Sequence, residues 1–589
     1  MLTYADRPWT QHYDAHVPTT LNPYPKVPVH YFLEETARKF PQHVALVTST
    51  RLPGGLGRLG RMNAKMTYGE LNAAADALAA ALIEKGLKKG ERVALIMPNC
   101  AAFVVSFFAI LKAGGVVAAT NPTYPDEKMQ FQINDCDARF VVCLSMFYTQ
   151  VNRIRKQTQI QHVIVANIKE YLPGFAKTLF TIARERKDGH RVDKLEPADF
   201  WFQDLLKQFQ GHKANIEVST HDLAIFQYTG GTTGTSKAAM SQHQALVANT
   251  LMCKAYLGSK EGQDSFLAAI PMFHVFGMIA VVCFAVGMAA PMYLVVNARD
   301  IPDVLDVIHT FRPTLFMGVP ALYNAINKHP DVQAGKYDLT SIRACVSGSA
   351  PLPPPVKREF ERLSGGVIME GFGMSESPTA SHCNPLLGEN RVGSIGMPMP
   401  DMDMRVVSLD DGETEVPVGE IGELVMSGPI LMQGYHKMPT ETANALREYN
   451  GKVWLYTGDI ARMDENGYFY IVDRKKDMAL IGGFNVYPNI VEKMIAEHPA
   501  VQEAAVAAVP HTEKDSQEML KAWIVLKSGQ TATNADLIQF LEGKLAPYEI
   551  PRRYAFVAEL PKTAVGKTLR RELIRMEVEE REAQQKITQ

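Results

Sequence analysis

A run between Tyr228 and Lys237 holds residue types that bind phosphate. It follows an apolar strand-like segment, is rich in glycine, threonine and serine, and ends in a lysine. Glycines let backbone N–H groups approach a phosphate closely, hydroxyls donate to its oxygens, and a lysine neutralises its charge. The run predicts a phosphate site, although its composition is also typical of a flexible surface loop. The candidate residues are Thr229, Gly230, Gly231, Thr232, Thr233, Gly234, Thr235 and Lys237.

Two other glycine-containing runs lack the context that their patterns require. Gly55–Gly60 matches G-x-G-x-x-G, but a strand-like segment follows it, so no helix dipole would face a pyrophosphate. We expect a basic hairpin loop there. Gly566–Thr568 resembles the end of a Walker A loop, but Pro561 stands where that motif needs glycine. A P-loop kinase or motor is therefore not expected.

Six motifs in chain order resemble those of the adenylate-forming superfamily, which includes acyl-CoA synthetases, amino-acid adenylation domains and luciferases. One such motif alone would be weak evidence, but the resemblance extends from about Tyr31 to Glu572. The motifs are Tyr228–Lys237, Ser347–Leu352, Glu370–Glu376, Tyr456–Asp459, Asp473–Asp477 and Pro561–Lys567. The resemblance implies an enzyme that joins a carboxylate to the α-phosphate of ATP, releases pyrophosphate and passes the acyl group to a thiol.

The resemblance implies roles for residues around the ATP phosphates and adenine. Lys237 and the hydroxyls of the first motif would hold the β- and γ-phosphates, and Ser375 would contact the α-phosphate. Glu376, with Thr232, would hold Mg²⁺, a hard cation that prefers oxygen ligands. The adenine side would comprise Gly348, Ser349, Ala350, Gly371, Phe372, Gly373 and Met374, with Phe372 against the base.

The same resemblance implies roles for the C-terminal motifs. Asp459 would accept hydrogen bonds from the ribose hydroxyls, with Arg474 beside it. Lys567 would stabilise charge that develops between the carboxylate and the α-phosphate. Lys476 would be the hinge about which the C-terminal domain rotates between adenylate formation and thiol transfer. The thiol channel would be lined by Gly482, Gly483 and Phe484.

The acceptor thiol and the acid are inferred from the same comparison. No carrier-protein domain follows the C-terminal region, which favours coenzyme A as acceptor. Pro271–Met278 resembles the acyl-pocket segment of fatty-acyl-CoA synthetases, so His274 and Met278 are expected in the pocket wall. The segment Lys169–Gly189 also resembles bacterial long-chain fatty acid–CoA ligases. A long- or medium-chain fatty acid is the expected substrate. An aryl or short-chain acid ligase and a non-catalytic membrane-associated acyl-binding or uptake protein remain alternatives.

Short apolar runs alternate with helical patterns through most of the chain. Val116–Ala119 and Phe140–Leu144 read as buried strands, and Ala101–Lys112 reads as a helix between strands. This alternation predicts an α/β fold, with mostly parallel sheets flanked by helices. We expect an N-terminal body over residues 1–473 and a small mobile α+β domain over residues 474–589.

Composition limits the classes of partner and compartment. With 61 basic and 63 acidic residues the formal net charge is −2, so nucleic acid is not an expected partner. Seven scattered cysteines without a C-x-x-C pair argue against a disulfide scaffold or a structural zinc site and favour a cytoplasmic protein. The sequence does not determine an oligomeric state, and a homodimer remains open.

Two segments raise the question of membrane contact. Ser265–Asn297 is nearly free of charge, but prolines interrupt it, so we expect a buried strand and helix rather than a spanning helix. Lys169–Lys187 reads as a basic amphipathic helix. A surface helix packed on the domain is one interpretation, and peripheral contact with an anionic membrane at its inner face is the other.

Overall fold

A computed structural model describes residues 2–51, 61–229, 236–510, 518–562 and 568–588, with 581–588 described as backbone only. The chain divides into two compact units. The larger unit contains Trp9–Met402 and Ser427–Leu455, and the smaller contains Met1–Pro8, Asp403–Met426 and Tyr456–Gln589. The boundary predicted at residue 473 stays a prediction. Seven predicted site residues lie outside the described residues: Gly230, Gly231, Thr232, Thr233, Gly234, Thr235 and Lys567.

The strands follow the apolar runs of the sequence closely, because β-branched residues flanked by turn formers favour short buried strands. Val116–Ala119 and Phe140–Leu144 form strands with the expected bounds. In chain order the strands are β1 (Val44–Arg51), β2 (Arg61–Thr67), β3 (Arg92–Ile96), β4 (Val116–Ala119), β5 (Phe140–Leu144), β6 (His162–Ala166), β7 (Phe200–Trp201), β8 (Leu223–Tyr228), β9 (Ala238–Gln242), β10 (Phe266–Ala268), β11 (Met292–Leu294), β12 (Leu315–Gly318), β13 (Ala344–Ser347), β14 (Val367–Met374), β15 (Ser377–Cys383), β16 (Met397–Pro398), β17 (Asp403–Val407), β18 (Gly422–Ser427), β19 (Gly434–Tyr435), β20 (Leu446–Tyr449), β21 (Lys452–Met463), β22 (Phe469–Arg474), β23 (Ala479–Ile481), β24 (Phe484–Val486), β25 (Val501–Pro510), β26 (Glu518–Leu526) and β27 (Arg553–Phe556).

The helices begin at recognisable N-terminal signals. Thr67 and Glu70 form a reciprocal capping box before the second helix, and Asp300 caps the eleventh. In chain order they are α1 (Tyr31–Lys39), α2 (Tyr68–Glu84), α3 (Ala101–Lys112), α4 (Asp126–Asp135), α5 (Tyr148–Arg155), α6 (Gly174–Ala183), α7 (Phe202–Gln208), α8 (His243–Tyr256), α9 (Val275–Gly277), α10 (Phe284–Gly287), α11 (Ile301–Phe311), α12 (Pro320–Asn327), α13 (Pro330–Gln333), α14 (Pro354–Ser364), α15 (Pro439–Ala445), α16 (Pro488–Ala496), α17 (Asn534–Leu541) and α18 (Arg570–Thr588). A π-helical segment, Met278–Cys283, lies between α9 and α10.

Two large sheets with helices against their faces form the larger unit. One has the strand order β19-β9-β8-β4-β3-β5-β6-β7, and the other β16-β15-β14-β13-β12-β10-β11-β1-β2. Their central strands are parallel and buried, and antiparallel strands close three of the four edges, β7 being a parallel edge strand. The α/β prediction is confirmed. β1 and β2 form an antiparallel hairpin around Gly55–Gly60, so the expected hairpin is also confirmed, although its loop lies outside the described residues.

The weakly charged segment Ser265–Asn297 folds as expected into buried secondary structure. It contains β10, α9, the π-helical segment, α10 and β11, and the π-helical residues are all buried. Within the described part of the chain, no helix combines the length and apolar content that crossing a bilayer requires.

The basic segment Lys169–Lys187 differs from the single helix that its sequence pattern predicts. A 3₁₀ turn covers Ile168–Tyr171, and α6 begins only after Pro173 and ends at Ala183. Proline lacks the N–H that would continue the first turn, and its ring fixes φ at a value suited to a helix start. The basic residues after Ala183 therefore follow the helix instead of lying on it.

The smaller unit contains a sheet in which β17, β18, β21 and β22 are neighbours, a hairpin of β23 and β24, and a sheet of β25, β26 and β27. Apolar residues of α16 and α17, among them Val491 and Leu537, pack on the last of these sheets. The seven cysteines are all described, and all are buried free thiols.

Two buried histidines in the larger unit make its stability depend on pH. The rings of His30 and His243 lie edge to face, 5.8 Å apart, and His243 Nδ1 accepts a hydrogen bond from Val29 N–H. Burial lowers the pKa of each imidazole to about 3. In the unfolded chain the same groups bind protons near pH 6.5. Protonation of the unfolded state therefore removes stability as pH falls from about 6.5 towards 3.

We predict that His243→Asn, which stays neutral, loses less unfolding free energy between pH 7 and pH 5 than the unmodified protein. The difference should be about 2 kcal/mol for one imidazole that is protonated only when unfolded. Urea unfolding at both pH values measures it. Equal losses in the two proteins would contradict the prediction.

Candidate active site

The two ends of the predicted phosphate loop lie side by side. β8 ends at Tyr228 and β9 begins at Ala238 as its antiparallel neighbour. Thr229 N–H donates to the Lys237 carbonyl over 2.8 Å, and the Ser236 hydroxyl donates to the Thr229 carbonyl over 2.9 Å. Residues 230–235 lie outside the described residues, and these two hydrogen bonds join the chain on either side of them.

Lys237 and Glu376, predicted from separate motifs, contact the same tyrosine. The Lys237 Nζ lies 5.1 Å from the centre of the Tyr435 ring, a cation–π distance. The Tyr435 hydroxyl donates to Glu376 Oε1 over 2.7 Å. Burial and the neighbouring Glu376 carboxylate raise the pKa of Tyr435, so its hydroxyl keeps its proton. Tyr435 therefore orients the carboxylate and places the lysine beside it.

Tyr435 is a site residue that sequence reasoning missed. It lies on β19, a two-residue strand paired with β9, and this pairing brings it beside the end of the phosphate loop. Its amide N–H donates to Thr442 Oγ1 over 2.9 Å. Its isolated position in a Gly-Tyr dipeptide gave no periodic or motif signal, so only tertiary pairing identifies it.

Six of the seven predicted adenine residues line one cavity in the larger unit. Gly348 and Ser349 follow β13, and Gly371–Met374 end β14, the parallel neighbour of β13. The carboxyl ends of parallel strands meet at one edge, where α/β proteins commonly bind ligands. Ser375 and Glu376 form the turn between β14 and β15. The cavity is lined by Gly348, Ser349, Gly371, Phe372, Gly373 and Met374 together with His274.

The rest of the cavity wall is mostly apolar and comes from several elements. α8 and its C-cap contribute Cys253, Tyr256 and Leu257, and the helical segment after His274 contributes Ala280 and Phe284. Its other lining residues are Val275, Phe276, Met317, Val346, Thr379, Ala380, His382, Cys383 and Met399. Adenine-motif residues and an apolar wall therefore share one space. Ala350 and Met278 are not among the lining residues, and Met278 is fully buried in the π-helical segment.

His274 lies in the cavity wall as a neutral imidazole. Its Nδ1 accepts a hydrogen bond from Phe276 N–H over 3.3 Å and so caps α9. Desolvation lowers the pKa of His274 to about 4, so the ring carries no charge near neutral pH. Among the described residues, no group of three or more His, Cys, Asp or Glu side chains could hold a metal ion.

The backbone at Gly373 leaves no room for a side chain. A Cβ at this position would lie 1.2 Å from the Thr379 carbonyl oxygen. Gly371 is also confined, because its Cβ would lie 2.9 Å from the Val346 side chain. Ser349 adopts a φ of 71°, in the left-handed region that favours glycine. The glycines of the adenine motif are thus required by packing around the cavity.

The predicted ribose residues form an ion pair in the smaller unit. Arg474 Nε lies 3.0 Å from Asp459 Oδ1, and Asp459 is almost completely buried. The two residues are directly opposite each other on β21 and β22. The Asp459 N–H donates to Thr457 Oγ1 over 3.0 Å. Strand pairing therefore brings together two residues predicted from separate motifs.

The predicted hinge run is only partly exposed. Lys476 is exposed in a turn, whereas Asp473 is fully buried and accepts from the N–H and the side-chain amide of Asn489 at the start of α16. Arg570 at the start of α18 donates to both oxygens of Glu492, over 3.0 and 2.7 Å, and lies 3.3 Å from Asp477. Both ends of the run are therefore tied to the helices of this unit.

The predicted thiol-channel residues form the tip of the β23–β24 hairpin. Gly482 and Gly483 have φ values of 59° and 88°, as a two-residue hairpin turn requires. Phe484 is more than half exposed and stacks on Tyr548 with ring centres 4.5 Å apart. Lys567 lies outside the described residues. The segments before and after it are joined by a Leu569 N–H to Pro561 carbonyl hydrogen bond of 2.8 Å.

Comparison with known proteins matches nearly the whole chain. The family model described as AMP-binding enzyme matches residues 33–436, and that described as AMP-binding enzyme C-terminal domain matches residues 490–567. A long-chain-fatty-acid–CoA ligase of Bacillus subtilis is 38% identical over 98% of this chain and 99% of its own length. A protein of the same name from Escherichia coli is 34% identical over 96% of this chain and 97% of its own. The crystal structure of ATP-bound MatB from Rhodopseudomonas palustris has a TM-score of 0.78, 28% identity, and coverage of 93% and 99% of the two chains.

We predict that Gly373→Ala destabilises the protein by about 2–3 kcal/mol or more, because the added methyl group meets a backbone carbonyl. The matched control is Gly174→Ala at the start of α6, where a Cβ meets nothing within 4 Å. That change should be neutral or slightly stabilising. Thermal unfolding measures both variants. Equal unfolding temperatures for Gly373→Ala and the unmodified protein would show that the close approach does not exist.

Proposed function

The chain belongs to the family of AMP-binding enzymes, and from this premise we propose that it is an ATP-dependent fatty acid–CoA ligase that prefers long-chain acids. The observation that carries the proposal is the cavity in which Gly371–Met374 of the adenine motif meet the apolar wall around Ala280 and Phe284. A nucleotide and an alkyl chain can thus lie next to each other. The full-length relatives named long-chain-fatty-acid–CoA ligases support the same activity.

The first half-reaction joins two anions. A carboxylate oxygen attacks the α-phosphorus of ATP, the bond to the β-phosphate oxygen breaks, and pyrophosphate leaves. Cations must screen the approach. Lys237 at the end of the phosphate loop neutralises the β- and γ-phosphates, Ser375 donates to the α-phosphate, and Lys567 stabilises the charge shared by the carboxylate and the α-phosphate. Phe372 lies against adenine, and Asp459, held by Arg474, accepts from the ribose.

Mg²⁺ fits the residues on the phosphate side. The Tyr435 hydroxyl occupies Glu376 Oε1, which fixes the carboxylate and leaves Oε2 to meet a hard cation. One protein carboxylate combined with substrate phosphates is a common way of holding Mg²⁺. Thr232 would add a hydroxyl from the phosphate loop. When bound, the ion neutralises charge on the phosphate oxygens.

The second half-reaction transfers the acyl group to coenzyme A. The thiol sulfur attacks the acyl carbon of the adenylate and loses its proton to water, and AMP leaves with the electron pair of the broken C–O bond. We propose that residues 474–589 form a mobile domain that turns about Lys476 between the two half-reactions. The exposed turn at Lys476 supports this pivot, and rotation about it would break the hydrogen bonds from Asn489 to Asp473. The hairpin tip at Gly482–Phe484 would line the path of the thiol.

The apolar wall favours fatty acids over smaller acids. Each CH₂ group removed from water contributes about 0.8 kcal/mol, so a long chain gains far more from such a wall than acetate does. His274 is neutral in this wall, so it provides no positive charge that would bind a second anionic group of the acid. An aryl or short-chain acid ligase is the second candidate, because the same adenylate chemistry would serve it.

We predict that pyrophosphate release from ATP and Mg²⁺ increases along a series from acetate to oleate and that sustained turnover needs coenzyme A. Lys567→Ala should lower adenylate formation by at least about a hundredfold, since it removes a group that stabilises the transition state. Largest rates with aryl or short acids would replace the long-chain proposal. No release with any acid, or full activity of Lys567→Ala, would contradict the ligase mechanism.

We also propose peripheral contact with an anionic membrane, at its inner face, through α6. Phe175 and Ile182, seven residues apart on one helical face, are 73% and 80% exposed. Arg184, Arg186 and Lys187 follow the helix and are exposed. Apolar side chains beside cations are the combination that binds an anionic lipid surface.

The segments on either side of α6 are held together by hydrogen bonds of a buried carboxylate. Ala176 is buried, and the buried Glu185 carboxylate accepts from the Asn167 amide over 2.9 Å and from Lys169 Nζ over 2.6 Å. The exposed face is therefore presented by a fixed element. Such contact would place the enzyme where its apolar substrate partitions.

We predict that the protein cosediments with anionic vesicles at low salt and is released as salt rises. The affinity of the double variant Phe175→Ser/Ile182→Ser for these vesicles should be at least about tenfold lower, because two exposed apolar side chains are lost. Leu387→Ser, which removes another apolar side chain of 77% exposure, is the matched control and should bind normally. Failure of the unmodified protein to bind anionic vesicles at low salt would refute the membrane contact.

A further inference from the structure

Thr379 has a backbone conformation that β-branched residues rarely adopt. Its φ is 82°, and the residue is buried in the cavity wall. A β-branched side chain at positive φ persists only where the surroundings hold it, and such residues cluster at functional sites. The pairing of β14 with β15 is irregular here, as at a β-bulge.

Three elements hold this bulge, and each forms a different part of the cavity. The Thr379 carbonyl fills the space beside Gly373 on β14, the adenine strand. Its hydroxyl donates to the Val275 carbonyl of α9 over 2.8 Å. The fully buried Asn249 of α8 donates its side-chain amide to the Ala380 carbonyl over 2.7 Å.

These contacts connect β14 of the adenine motif with α8 and α9, which also line the cavity. α8 carries Cys253 and Tyr256 of the apolar wall, and α9 follows His274. An alkyl chain packed against that wall would restrict α8 and α9, and through Asn249 and Thr379 it would restrict the adenine strand. A ligand that orders an element shared by two sites raises the affinity of the second site, and the effect is reciprocal.

We propose that Thr379 is a positioning residue that couples occupancy of the acyl wall to nucleotide binding, so that a bound long-chain acid raises the affinity for ATP. The proposal rests on the function proposed above. Short acids, which do not reach the apolar wall, produce little coupling. Loss of the Thr379 hydroxyl separates α9 from the bulge and removes the coupling.

The test is the dissociation constant of α,β-methylene-ATP, which cannot be cleaved at the reacting bond, measured with no acid, with butyrate and with palmitate. In the unmodified protein palmitate should lower this constant about fivefold or more, within the usual range of coupling between sites, and butyrate should not. In Thr379→Val the palmitate effect should vanish, and Thr379→Ser, which keeps the hydroxyl, should restore it.

Thr250→Val is the matched control, because Thr250 is a buried threonine of α8 whose hydroxyl donates to the Leu246 carbonyl of its own helix. It should keep the palmitate effect even if its unfolding temperature falls. A purely structural role for Thr379 would lower the unfolding temperature of Thr379→Val and leave the palmitate effect intact, which overturns the proposal. Absence of the effect in the unmodified protein overturns it as well. Pyrophosphate release with palmitate, measured alongside, separates either outcome from failure of the ligase function.

Discussion

The close approach of the Thr379 carbonyl to Gly373 is the contact around which the cavity is arranged. The β14–β15 hairpin can close only because residue 373 has no side chain, and its closure places Ser375 and Glu376 at the tip. The same contact leaves Gly371 and Phe372 at the cavity surface. One steric requirement thus fixes the end of β14 at the cavity surface and the turn that carries the Glu376 carboxylate.

Charge on the phosphate side is organised by Tyr435. Lys237 and Glu376 have opposite charges and belong to loops far apart in sequence, and the tyrosine contacts both. Its ring faces the cation, and its hydroxyl occupies one carboxylate oxygen, so both charged groups are held by one side chain. Such fixed groups need no reorganisation when charge develops in a reaction.

Sequence patterns predicted the fold class and strands such as Val116–Ala119 and Phe140–Leu144, because buried parallel strands are short apolar runs that local composition specifies. The motifs also predicted residues that the structure brings together, such as Gly348 with Gly371 and Asp459 with Arg474. The roles of the motif residues remain predictions, and the family resemblance supplied them.

What sequence reasoning missed depends on tertiary contact. Tyr435 and Thr379 contribute to the site through strand pairing and a bulge, and neither lies in a periodic pattern. The sequence also did not predict the burial of Asp473, because a run of charged residues is usually exposed to solvent. In the structure Asn489 donates two hydrogen bonds to the buried Asp473 carboxylate. Pro173 indicates that a helix begins after it, but the amphipathic charge pattern led to the prediction of one helix over the whole segment.

In the proposed first half-reaction, the carboxylate of the acid attacks the α-phosphorus of ATP. Palmitate labelled with ¹⁸O in both carboxyl oxygens, turned over with ATP, Mg²⁺ and coenzyme A, tests it directly by mass analysis of the products. The proposed mechanism predicts one ¹⁸O atom in AMP and none in pyrophosphate, because the attacking oxygen stays with the α-phosphate when the thiol displaces AMP. Unlabelled AMP, or label in inorganic phosphate or pyrophosphate, would contradict it.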